Sequence, residues 1–349
     1  MYKIRLYIKQ FKVIFTDKNE KKNIFRIIKE FISASIKKRE IAYHYPAKYL
    51  YRKEITNYQD YLSFGEFMKM YNSKELHRYE HVSILKNKLS FALLVEKNNL
   101  NCPELISYNL RDNFCYAGKR FKIKDTEALY NMFKEVMNSS QQEKLFVKPL
   151  SKNGGKGCHL ITLATLKEDL KAFDPDFLNQ GAIHQAVVQQ HESINAIYPH
   201  SINTIRFETY IDKLGKTHVL SGFMRFGAGG KVVDNAGSGG MYVSINMENG
   251  KLRAKSHQSM HAGGHSLKAH PDTGFVYDGF QIPYFHEAVE LVLDAVNFIP
   301  DRIIGWDIGI TPEGPTIIEA NHSPSIKMSD IAYGGYLQHP LYAEILDEA

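Results

Sequence analysis

The stretch Ile303–Asn321, IIGWDIGITPEGPTIIEAN, constrains this chain more than any other. Two apolar runs flank Pro312-Glu313-Gly314-Pro315, a turn sequence, so the chain must reverse there as a β-hairpin. Strand alternation puts Glu319 and Asn321 on one face, and Asp307 comes from the neighbouring strand. A solvated sheet face is the plainer explanation. Against it, both carboxylates stand among apolar neighbours, where an unpaired charge is costly. Two carboxylates and one amide oxygen are hard ligands, suited to Mg²⁺ in company with nucleotide phosphates. Mn²⁺ accepts the same oxygens.

A second segment asks for an anion. In LFVKPLSKNGGKGCHLITL, Leu145–Val147 reads as a short buried strand and His159–Leu163 as its partner. Between them lie Lys152, Asn153, Gly154, Gly155, Lys156 and Gly157. Three glycines in four residues let backbone N–H groups converge on a ligand. Lys148, at the end of the first strand, and the two loop lysines can neutralise phosphate. A plain hairpin needs one or two glycines, not a long Gly/Lys loop. The P-loop spacing GxxxxGK[ST] is absent, and no GxGxxG follows a strand.

The middle of the chain is extended. Ser201–Asp212 alternates like a half-buried strand, with Arg206 and Glu208 on one face. Arg206 serves either a reacting oxyanion or a surface ion pair with Glu208. Thr217–Phe226 is the next strand, ending near Arg225. The glycine-rich loop that follows carries Lys231, Asp234, Asn235 and Gly239-Gly240, and Arg225 with that backbone suits a tetrahedral oxyanion. His184–Glu192 reads as an apolar strand; either it is an ordinary core strand, or its edge pairs with adenine and Glu192 meets ribose hydroxyls. His257, His261, His265 and His270 suggest zinc, but Gly263-Gly264 breaks the helix that their spacing needs. A mobile polar loop over the acceptor is the simpler expectation.

The amino-terminal third reads differently. From Lys22 to Lys38, Ile24, Ile27, Ile28, Phe31 and Ile32 recur at helical spacing, with Lys and Arg on the other face. One reading is a basic amphipathic helix on an anionic membrane. The other, which is the expectation here, packs the apolar face on the protein and wets the charged one. A second helical stretch runs from Val82 to Asn99 and ends before Pro103. Cys102, Cys115 and Cys158 are scattered, which fits a reducing compartment. No apolar run is long enough to span a bilayer, and Lys and Arg interrupt MYKIRLYIKQFKVIF, so a secretory signal is not expected. The expected location is cytoplasmic, with the inner face of the membrane open to it. A net charge of +6 does not by itself call for nucleic acid as a partner. No sequence feature sets an oligomeric state.

Taken in order, these pieces resemble the ATP-grasp superfamily. SINTIRFETY, VVDNAGSGGMYV, HPDTGF and IGWDIGITPEGPTIIEANHSP resemble the sugar-transfer-associated ATP-grasp family, from about Lys88 to the carboxyl end. The resemblance implies an α/β (α+β) architecture: two α+β lobes whose antiparallel sheets grip ATP, after a mostly helical amino-terminal region. On that basis residues 1–85 are the helical basic region, 86–190 the first lobe with its lid, and 191–349 the second lobe with the metal site. Lys148 would touch the α-phosphate and adenine, and loop 151–157 would close over the outer phosphates. Gln185 to Val188, Val187 included, would form the adenine hinge, with Glu192 at ribose. Arg206 and Arg225 would contact phosphates or an acyl phosphate, and Asp307, Glu319 and Asn321 would hold one or two Mg²⁺ ions. Gln185 replaces an acid often seen in the hinge, and Ser325 a glycine often seen after the final Ser-Pro.

The implied activity is ATP-dependent joining of a carboxylate to an amine through an acyl phosphate. The substrates would be a small-molecule or glycan carboxylate, such as a sugar acid, and an amine or amino acid, in surface polysaccharide synthesis. A peripheral membrane or glycosyltransferase contact would suit that setting. The rival readings are a phosphotransferase acting on a hydroxyl, and a non-catalytic nucleotide-binding scaffold.

Overall fold

The computed structural model describes residues 14–15, 17–152, 154–174, 176–324 and 326–349; Asn153 and Ser325 lie outside the described residues. The amino-terminal region is built from short helices. Helix α1 (Ile24–Lys38) starts at Asn23, whose side chain accepts the Arg26 N–H, and stops at Arg39 in the left-handed region. Helices α2 (His44–Ala47), α3 (Phe64–Asn72), α4 (Tyr79–Lys86) and α5 (Lys88–Lys97) follow.

Two expectations are corrected here. Helix α1 packs only part of the apolar face outlined by the sequence: Ile27 is buried and Phe31 packs on the amino-terminal core, but the rest of the face stays exposed. It buries Ile27, Glu30 and Ala34, while Ile24, Phe25, Ile28, Ile32 and Ile36 are exposed. The cause is electrostatic anchoring. Glu30 accepts from Lys22 at 2.6 Å, Arg26 at 2.8 Å and the Tyr45 hydroxyl at 2.7 Å, and this buried cluster turns the helix. The single helix expected over Val82–Asn99 is two, broken at Asn87. The Asn87 side-chain oxygen Oδ1 accepts the Leu89 and Ser90 N–H groups, capping α5 and ending α4.

The first sheet contains β1 (Leu105–Leu110), β2 (Asn113–Tyr116), β3 (Lys119–Lys122), β4 (Lys144–Pro149), β5 (His159–Thr162) and β6 (Gly181–Ala186). Its order is β3-β2-β1-β6-β4-β5, antiparallel throughout. Helices α6 (Thr126–Ser139) and α7 (Leu166–Lys171) bury Phe133, Val136 and Leu166 against Phe114, Leu145 and Ile161. The strand expected within residues 184–192 is the end of β6, which stops at Ala186, and α8 (Glu192–Asn195) follows.

The second sheet contains β7 (Ile205–Ile211), β8 (Thr217–Phe226), β9 (Met241–Asn246), β10 (Lys251–Gln258), β11 (Ile303–Thr311) and β12 (Gly314–Asn321). Its order is β10-β9-β8-β7-β11-β12, again antiparallel. Helix α9 (Phe285–Val296) joins Phe207, Ile304, Trp306 and Ile308 in the largest core. Helix α10 (Ile326–Tyr333) packs on β8 and β9, and α11 (Pro340–Glu348) closes the chain.

The amino-terminal region is bolted to the second sheet. Lys48 pairs with the fully buried Asp330 of α10 and also donates to the Leu62 carbonyl. Asp330 accepts the Leu62 and Tyr336 N–H groups as well. The Tyr49 hydroxyl donates to the Gln258 carbonyl at 2.9 Å, and Arg52 to the Gly264 carbonyl at 2.6 Å. Removing one member of a buried pair strands its partner's charge. Asp330→Ala is therefore expected to cost about 3–5 kcal/mol of stability, read as a lowered midpoint in chemical denaturation. A variant within about 0.5 kcal/mol of wild type would show that this contact does not anchor the region.

Candidate nucleotide and metal cleft

The register of three adjacent strands builds one wall of the cleft. Arg206 on β7 faces Asp307 on β11, and Asp307 faces Glu319 on β12. Glu208, Gly305 and Asn321 form the next row. The alternate residues Ile304, Trp306 and Ile308 face the core, so the hairpin is apolar behind and charged in front. A β-bulge at Ile318 supplies one extra residue: Asp307 pairs with Glu319, but Ile308 pairs with Ile317. That residue enters the cleft lining beside Glu319. Gly305 leaves room for the neighbours that cross it. A Cβ there would meet Pro324 at 2.9 Å and Arg206 Cδ at 3.3 Å.

Asp307 is buried, yet both its oxygens are occupied. Arg206 Nε donates to Oδ1 at 2.5 Å and its Nη2 to Oδ2 at 3.0 Å, and Arg225 Nη2 lies 3.0 Å from Oδ2. Burial alone would raise the Asp307 pKa. The two guanidiniums outweigh it and hold the carboxyl below its ordinary value. Arg225 also lies 3.3 Å from Asp234 and donates to the Thr204 hydroxyl, which itself donates to Asp234 at 2.6 Å. Burial works against the Arg225 charge, but Asp234 and Asp307 raise its pKa. The surface pair considered for Arg206 and Glu208 is not formed. Glu208 is instead buried among Ser221, Ser329 and Tyr336, because Asp307 offers Arg206 a planar two-point partner.

The opposite wall comes from the first sheet. Lys148, Lys152, Gly154, Gly155, Lys156, Gln185 and Val187 share a cleft of about 610 Å³ with Arg206, Arg225, Asn235, Asp307, Glu319 and Asn321. That volume suits a nucleotide-sized ligand. Burial lowers the Lys148 pKa, and Glu319 opposes the shift. Gly154, Gly155 and Gly157 all have φ near +70°, which lets the loop turn its backbone inward. The Asn235 amide donates to the Gly154 carbonyl at 3.2 Å, so the glycine loop touches the second sheet's loop across the opening.

Some cleft groups carry no sequence expectation. Lys88, in the first turn of α5, donates to Glu319 at 3.2 Å and to the Lys152 carbonyl at 3.0 Å. It joins the acidic wall to the lid. Its only signal in the sequence is a lysine opening an apolar helix after an Asn cap. Cys158, Thr204 and Asp234 line the same cleft. Gln185 is buried; its amide donates to the Pro103 carbonyl at 3.1 Å, and its Oε1 has no partner. A buried acceptor left open beside the cleft fits an exocyclic amine of a base. Glu319 and Asn321 carry oxygens of the kind a divalent ion prefers, while Asp307 beside them has both oxygens engaged by Arg206 and Arg225.

Glu192, Lys231 and Gly157 are outside the cleft lining. Glu192 is exposed at the start of α8, and the Lys231 carbonyl accepts the Tyr198 hydroxyl at 2.8 Å. The histidine segment is not one mobile loop. His257 lies in β10 against the Tyr242 ring, and His270 is buried with Nε2 2.8 Å from the Gly227 carbonyl.

Two antiparallel α+β lobes, with a glycine-rich lid facing an acidic strand pair, define an ATP-grasp protein. The chain belongs to the sugar-transfer associated ATP-grasp family, whose model matches residues 66–343. Among solved structures it is similar to D-alanyl-alanine synthetase A from Vibrio cholerae, with 12% identity, TM-score 0.46, 78% of this chain and 68% of that one covered. It is also similar to an ADP complex of purK, N5-carboxyaminoimidazole ribonucleotide synthetase, with 13% identity, TM-score 0.42 and 70% of this chain covered. A third is the ATP-grasp ligase PsnB complexed with minimal precursor, with 12% identity, TM-score 0.43 and 78% of this chain covered. The chain spans 46% of the second structure and 64% of the third, less than two thirds of each. A comparison with curated proteins finds no match.

The lid's conformation can be tested at Gly155. Its φ is +73°, and a Cβ would stand 2.8 Å from Val233 Cγ1. Strain of about 1–3 kcal/mol at such a position should weaken binding of ATP with Mg²⁺ about tenfold in Gly155→Ala, with the melting temperature nearly unchanged. Unaltered affinity by equilibrium dialysis would show that the lid does not close in this form.

Proposed function

We propose that the protein is an ATP-dependent carboxylate–amine ligase, joining an amino acid or amine to a sugar acid for surface polysaccharide synthesis. The observation that carries this reading is the row Arg206–Asp307–Glu319 facing the Gly/Lys lid across one cleft. Gln185 and Val187 hold the base, and Lys148 and the lid backbone hold the phosphates. Glu319 and Asn321, with Asp307, hold Mg²⁺, which when bound spreads the charge of the outer phosphates. Family membership supports the nucleotide assignment.

In the first half-reaction a substrate carboxylate oxygen bonds to the γ-phosphorus, and the bond to the β-phosphate oxygen breaks. The products are an acyl phosphate and ADP. In the second, the amine nitrogen bonds to the acyl carbon, the amine gives up a proton, and phosphate leaves. Arg225 steadies the oxyanion of that step, a role supported by Asp234 and Thr204, which fix its plane. The lid, held by Asn235, keeps water from the acyl phosphate. Lys88 releases Glu319 as positive charge arrives there.

Purified protein with ATP, Mg²⁺ and pairs of uronic acids and amino acids should release ADP only when both partners are present, with an amide product by mass. A phosphate ester formed without an amine would make the protein a phosphotransferase. No ADP with any pair would reject the substrate assignment. Glu319→Gln keeps the side chain's shape and removes its charge. It is expected to lower turnover at least a hundredfold, with an unchanged melting curve. Wild-type turnover in this variant would remove Glu319 from the metal set.

A further inference from the structure

Helix α1 presents an apolar stripe to solvent and lies within the most basic part of the sequence. Phe25 is 81% exposed and Ile36 73%, with Ile24, Ile28 and Ile32 about half exposed. At 100° per residue these five side chains fall within about 120° of arc, one continuous face along the helix. Lys29 and Lys37 edge the same shallow groove. The opposite face is fixed to the protein by Glu30 and its three partners, so the stripe is held outward.

The charge distribution identifies what covers it. Residues 1–39 contain twelve Lys and Arg against three Asp and Glu, a net of +9. The whole chain carries +6, so the other 310 residues carry −3. A second copy would set two such regions against each other, and their repulsion opposes it. The groove is shallow and lined by one helix alone, so it does not enclose a partner side chain. A fluid bilayer needs none: apolar side chains enter the acyl boundary while Lys and Arg stay at the headgroups.

We propose that α1 docks the protein on a bilayer containing anionic phospholipid, with Phe25, Ile28, Ile32 and Ile36 inserted and the surrounding lysines on the headgroups. The proposal rests on this face alone and is independent of the reaction in the cleft. No helix among the described residues is long and apolar enough to cross a membrane, so this attachment is lateral.

The test uses the full chain carrying Ile32→Trp. Its one native Trp, Trp306, is fully buried, so the introduced indole reports separately. In buffer it should emit like a water-exposed indole. Vesicles containing phosphatidylglycerol should shift it to the blue, phosphatidylcholine vesicles should not, and high salt should weaken the shift. In parallel, Phe25→Ser with Ile36→Ser should lower co-sedimentation of the protein with phosphatidylglycerol vesicles about tenfold, leaving the melting temperature and nucleotide binding unchanged. Three outcomes would overturn the proposal: no shift with anionic vesicles, an equal shift with both kinds, or blue emission before any vesicle is added. The last would mean that residues 1–13 or a second copy already cover the face.

Discussion

Asp307 is the charge on which the site depends. A carboxylate buried in an apolar hairpin survives only if something balances it. Here Arg206 does so from the adjacent strand β7, and Arg225 from β8, one strand further out. The register that sets Arg206 opposite Asp307 also sets Glu319 opposite Asp307 on the other side. One pairing therefore orders the sheet's centre and aims the acidic wall. Arg225 in turn reaches Asp234 and Thr204, so the loop after β8 takes its position from the same network.

The second half of the design is a set of cations that move less freely than their sequence suggests. Lys148 is half-buried at the end of β4, and Lys88 bridges Glu319 and the lid backbone. Lys88 neutralises the Glu319 carboxylate. The lid's own contact, Asn235 to Gly154, crosses the opening. Acidic strand and basic loop are thus already coupled through Lys88 and Asn235.

Much of this was legible from residue order. The hairpin 303–321, the strand ending at Phe226 and the strands around the glycine loop follow from alternation and turn chemistry, and the structure has them. The α1 helix was legible as well, but its buried side was not. Hydrophobic periodicity assumes that apolar residues seek the core, and Glu30 overrides it through three local partners. Lys88 was silent because its role depends on Glu319, 231 residues away. The bulge at Ile318 has no turn residue to announce it, so strict alternation misses how Ile318 joins the cleft. Arg206 showed its face but not its partner, since Glu208 stood nearer in the chain than Asp307.

The central claim is that the lid and the acidic strand pair form one site, which binds nucleotide through a divalent ion. Titration of a non-hydrolysable ATP analogue into the wild-type protein, with Mg²⁺ and with a chelator, tests it directly. The account predicts one nucleotide per chain and affinity at least tenfold higher with Mg²⁺, since the ion links Glu319 and Asn321 to the phosphates. Equal affinity with and without the ion, or no binding at all, would contradict it.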